Sequence, residues 1–82
     1  MADCADFQDP SLLEGRYANV FKVGHNAFEF LLDFGQFYPE PGVSQLHTRI
    51  ITAPTYAKAL LQTLRESIEQ YEQTFGSIAE QE

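Results

Sequence analysis

At 82 residues, the chain has room for one domain and no more. Hydrophobic residues make up 44% of it, with seven Phe and four Tyr, which excludes a fully disordered chain. Twelve acidic residues against five basic ones give a formal net charge of −7. Much of the surface must therefore repel phosphate backbones, because duplex binding rests on neutralising phosphates with Lys and Arg.

The core of so short a chain is small, and disulfides, metals or assembly commonly support such domains. Cys4 is the only cysteine, so no disulfide closes within one chain. The first residues, Met1 to Asp6, carry neither a positive stretch nor an apolar one of signal-peptide type, and no apolar run approaches the ~20 residues of a membrane span. A cytoplasmic location without membrane attachment is the expectation.

In chain order, residues 1–13 read as an acidic, flexible tail with Pro10 and no periodicity. A first strand is expected over Gly15 to Val23, with Tyr17, Asn19, Phe21 and Val23 on one side and Ala18, Val20 and Lys22 on the other. Gly24-His25-Asn26 predicts a tight hairpin that sets Val23 opposite Phe28; a four-residue loop keeps the same parity. A second strand follows over Ala27 to Phe37. It presents Phe28, Phe30, Leu32 and Phe34 to a core and Glu29, Leu31, Asp33, Gly35 and Phe37 away from it.

Tyr38-Pro39-Glu40-Pro41-Gly42 predicts a stiff connector, since two prolines and a glycine leave little room for a ladder. A third strand is expected over Ser44 to Ile51, with Leu46, Thr48 and Ile50 inward and Gln45, His47, Arg49 and Ile51 outward. From Pro54 to Gly76 the pattern changes to helical. Ala57, Leu61, Leu64, Ile68, Tyr71 and Phe75 recur at alternating steps of four and three, which is one stripe of an α-helix. Pro54 suits the first helical turn, Thr52 is a candidate N-cap although Ala53 occupies the place where a better cap could sit, and Gly76 suits the residue after the last turn. Residues 77–82 read as a second acidic, flexible tail.

The expected fold is therefore α+β: a three-stranded antiparallel β-meander over residues 14–76, completed by one long C-terminal helix packed on one sheet face. The helical stripe also suits pairing between copies, but about three heptads is short for that and the sheet needs the same stripe.

Several of these residues, taken together, resemble a known family. They are Tyr17-Ala18-Asn19, Glu29-Phe30 with Asp33-Phe34, Arg49-Ile50, Pro54 with Ala57-Lys58 and Leu60, Tyr71-Glu72, and Phe75-Gly76. The chain is similar through them, over about residues 14 to 78, to a family of short prokaryotic proteins known as domain of unknown function three-four-six-seven. Ala53 departs from the Ser or Thr cap expected before the proline. The resemblance implies the architecture and no activity.

No nucleophile motif, phosphate loop or metal-spaced Cys/His cluster is present, so no catalytic, cofactor-binding or metal-binding residues are assigned and no enzyme is expected. His47, Glu29 and Asp33 could converge on one sheet face and hold a divalent ion, but the expectation there is simply a polar face. Asp33 and Arg49 are expected to form a cross-strand ion pair on that outward face. The same face carries Val20, Leu31, Phe37 and Ile51, more apolar than a solvated face should be. Val20, Leu31, Asp33, Phe37, Arg49 and Ile51 are therefore the candidate interface of a homodimeric interaction module, whose sheet edge or outer sheet face is expected to bind itself and a further protein. The alternative is a regulatory nucleic-acid-binding dimer using Arg16, Lys22 and Arg49, which the charge balance opposes. A small enzyme or ligand carrier has no sequence feature in its favour.

Overall fold

Strands β1 (Val20–His25), β2 (Phe30–Tyr38) and β3 (Val43–Thr52) precede a single helix, α1 (Pro54–Phe75), in the computed structural model, which describes residues 13–80. The strands form one antiparallel sheet in the order β1-β2-β3. The α+β meander followed by a helix is thus the architecture. Residues 1–12 of the expected N-terminal tail, and the last two residues of the C-terminal one, lie outside the described residues.

The first hairpin departs from expectation in its register. Val23 pairs with Leu32 and His25 with Phe30, leaving a four-residue loop over Asn26–Glu29. The Asn26 side chain builds that loop: its Oδ1 accepts hydrogen bonds from the Phe28 and Glu29 amides at 2.7 and 2.8 Å. Its own amide donates to the Glu29 carbonyl at 3.0 Å. Phe28 therefore sits in the loop and not in the strand. The shift is an even number of residues, so the assignment of residues to faces survives. At the other end, β1 begins at Val20, five residues later than expected. Asn19 donates its amide to Gly35 at 2.9 Å, while its Oδ1 accepts from the Phe37 amide at 2.9 Å. A side chain there replaces the backbone acceptor, and the ladder ends.

The second hairpin turns through residues 39–42, with a cis Glu40–Pro41 peptide and Gly42 at φ 86°. The Gly42 amide closes it on the Tyr38 carbonyl at 2.9 Å. β2 and β3 then pair with one irregularity: Gly35 faces Leu46 and Phe34 faces Thr48, leaving His47 as the extra residue of a β-bulge. Leu46, expected inward with Thr48 and Ile50, is thereby moved to the opposite face. Gly35 is what admits the bulge. A Cβ at this position would run into the Gln45 carbonyl and lie 2.8 Å from Leu46 Cα.

The helix starts at Pro54 with Ala53 as its N-cap residue, extended at φ −81° and ψ 156° and without a side-chain cap bond. Thr52, the other candidate, remains in β3. The C-terminus is as expected: Gly76 adopts φ 98° and its amide donates to the Glu72 carbonyl at 2.9 Å.

The seat of the helix is a correction. It does not pack on a sheet face of its own chain: none of its residues is buried, and no hydrophobic side chain among the described residues is buried. The radius of gyration, 15.4 Å, matches this; a close-packed chain of this length has about 12 Å. The physical cause is the connection. One extended residue, Ala53, joins the last residue of β3 to the first of α1. Turning a helix back onto its sheet ordinarily takes a loop of ~2–3 residues.

Candidate interaction surface

Strand alternation and the observed register divide the sheet into two unlike faces. On one lie Phe21, Val23 and His25 of β1, Phe30, Leu32, Phe34, Gln36 and Tyr38 of β2, and Val43, Gln45, Thr48, Ile50 and Thr52 of β3. These thirteen positions include no Asp, Glu, Lys or Arg. Phe21 and Phe34 meet edge to face with ring centroids 5.9 Å apart, and His25 stacks on Phe30 at 5.4 Å. This face was expected to be the floor of the core. It is open instead: Phe21 and Val23 are 63% and 61% exposed.

The second face gathers the sequence-predicted interface. Leu31 and Ile51 are direct partners across β2 and β3, as are Asp33 and Arg49. Val20 faces Gly35, and Phe37 follows along β2 on the same side. All six candidates thus share one surface. Leu46 joins them, which sequence reasoning missed because a bulge leaves no periodic trace. Glu29 lies in the first loop and not on the strand. His47 is tied down at the bulge, with Nδ1 2.7 Å from the Thr48 hydroxyl and Nε2 3.0 Å from the Tyr17 carbonyl. Glu29, Asp33 and His47 therefore do not assemble. Among the described residues, no group of three His, Cys, Asp or Glu side chains is placed to hold a metal ion.

At the centre of this face, Arg49 donates from Nε to Asp33 Oδ1 at 2.8 Å and from Nη2 to Oδ2 at 2.9 Å. The pair is bidentate, as planar guanidinium and carboxylate groups favour. Asp33 is 7% exposed, the only buried charged residue among those described. Lys22 is its partner on the other side, across β1 and β2. The Arg49 hydrogen bonds hold the Asp33 carboxyl below the usual carboxylate range. Burial works against them, while the positive charges of Arg49 and Lys22 work with them. Two cations thus flank one anion across three strands, ringed by Val20, Leu31, Leu46, Phe37 and Ile51.

The depressions on the surface are shallow and open. One is lined by Asp33, Leu46, His47, Thr48 and Arg49, and another runs along the helix over Leu61, Leu64, Arg65, Ile68 and Glu69. No helix among the described residues is long and apolar enough to cross a membrane. A family model described as "Protein of unknown function (DUF3467)" matches residues 6–80. No curated protein and no solved structure matches the chain.

Proposed function

The chain belongs to the DUF3467 family, and from that premise we propose that it is a non-enzymatic, cytoplasmic, homodimeric protein-interaction module. One observation carries this reading. No hydrophobic side chain among the described residues is buried, although Leu, Ile, Val, Phe and Tyr line the helix and both sheet faces. Apolar surface of this extent costs free energy in water and marks a surface that another molecule covers; a second copy and a protein partner are the cover proposed. The mixed face, with Asp33 and Arg49 at its centre, has the composition of a protein contact: an apolar surround and an ion pair that fixes register.

The nucleic-acid alternative loses ground on the same geometry. Arg49 is committed to Asp33, and Lys22 faces the same carboxylate, so the three-residue basic patch reduces to Arg16. Analytical ultracentrifugation of the purified chain at tens of micromolar tests the proposal. A mass of two chains is the expected result; a single-chain mass at that concentration rules the homodimer out.

A further inference from the structure

We propose that the charge-free sheet face is the seat of the helix from a second copy of this chain, and that two copies exchange helices reciprocally about a two-fold axis. This rests on the homodimer reading above and specifies what the partner copy contributes.

Three observations lead to it. The chain carries two apolar surfaces that do not cover each other. One is the thirteen-position sheet face, which runs the full length of β3. The other is the helical stripe, where Leu61, Leu64 and Phe75 are 55%, 54% and 72% exposed. Next, the two match in size. A helix of 22 residues is about 33 Å long and about 10 Å across. The ten residues of β3 extend about 33 Å, and three strands at their ordinary spacing are about 10 Å wide. One helix fills the face, and two would not fit. Finally, the chain's own helix is held off by the single extended residue between Thr52 and Pro54. Short connections of this kind favour exchange between copies over closure within one.

Other self-associations leave a surface open. Pairing helix with helix would cover the stripe and leave Phe21, Val23 and Ile50 in water. Pairing sheet with sheet would cover those residues and leave the stripe exposed. Exchange covers both. The half-exposed residues involved offer about 1,000 Å² per chain, or about 2,000 Å² for the pair, within the range of stable dimers. The mixed face with Asp33 and Arg49 then remains outward, on the side available to a further protein.

The test uses the full-length protein in a mixed sample of ¹³C-labelled and unlabelled chains, read by isotope-filtered NMR. Contacts between the Leu61, Leu64 or Ile68 methyls of one chain and the Phe21 or Phe34 ring of another are expected. A companion variant inserts Gly-Ser-Gly-Ser between Ala53 and Pro54, allowing each helix to reach its own sheet. Its apparent dimer dissociation constant should rise at least about tenfold, because the tethered helix now competes at high effective concentration. A dimer whose only interchain contacts are helix–helix or sheet–sheet overturns the exchange while leaving the homodimer standing. An insertion without effect on dimer affinity also overturns it. A wild-type monomer would instead remove the homodimer reading on which the exchange rests.

Discussion

Asp33 is the residue at which the physics of the mixed face concentrates. A buried carboxylate is tolerated only when its charge is answered, and here Arg49 answers it with two hydrogen bonds while Lys22 adds a second positive charge. Removing Arg49 would leave the carboxylate buried and unpaired, which costs more than removing both partners together. The pH dependence follows from the direction of the shift. Because the folded-state pKa lies below the ordinary value of 3.8, the carboxylate's contribution to stability is fully present above that value. It is lost as pH falls through the lower folded value. We expect thermal stability of the wild type to drop over that acid range more steeply than in Asp33→Asn, as measured by circular dichroism melts at stepped pH. Parallel profiles for the two proteins would show that the pair contributes nothing to folding. Asp33→Asn should also melt at a lower temperature than wild type near neutral pH.

At the scale of single elements, the helix is poorly started and well stopped. Ala53 leaves the first amides without a side-chain cap, no acidic residue occupies the first turn, and no basic one occupies the last. Gly76, in contrast, terminates the last turn in a conformation that an L side chain disfavours. Such a helix depends on covering its stripe more than on its own ends. Ala53→Ser introduces a cap hydroxyl without altering the extended backbone at that position. It should raise stability by about 1 kcal/mol, read as an increased urea midpoint at unchanged slope. No shift in the midpoint would mean that the first-turn amides are already satisfied by other groups. Among the strands, β2 is the element that organises the sheet, since it pairs with both neighbours and holds Asp33 and Gly35, the two buried residues among those described.

For the whole molecule the governing quantity is the imbalance between apolar surface and burial. A chain with 44% hydrophobic residues and no buried hydrophobic side chain among those described has little to offset the entropy of ordering its backbone. In the exchange arrangement, most of the stabilisation arises only when two copies meet, so folding and association become one equilibrium. Stability should then depend on protein concentration. A hundredfold dilution is expected to lower the melting temperature measurably, followed by intrinsic tyrosine fluorescence. A melting temperature independent of concentration would show that the single chain is stable unaided.

Local rules determined a good deal from sequence alone. The step of four and three in Ala57, Leu61, Leu64, Ile68, Tyr71 and Phe75, with Pro54 before it and Gly76 after it, placed the helix to within a residue, because helical periodicity and termination are properties of neighbouring residues. Alternation placed three strands, their order and the Asp33–Arg49 pairing, because facing positions follow from parity and parity tolerates a shifted loop. What only the tertiary structure decided was everything that depends on non-local geometry. Asn26 and Asn19 used their side chains to set the hairpin register and to end β1. The bulge at His47 moved Leu46 across the sheet. Above all, a single residue between β3 and α1 decided that the apolar stripe would not reach its own sheet: hydrophobic patterning states that a face must be covered, while chain connectivity decides by what.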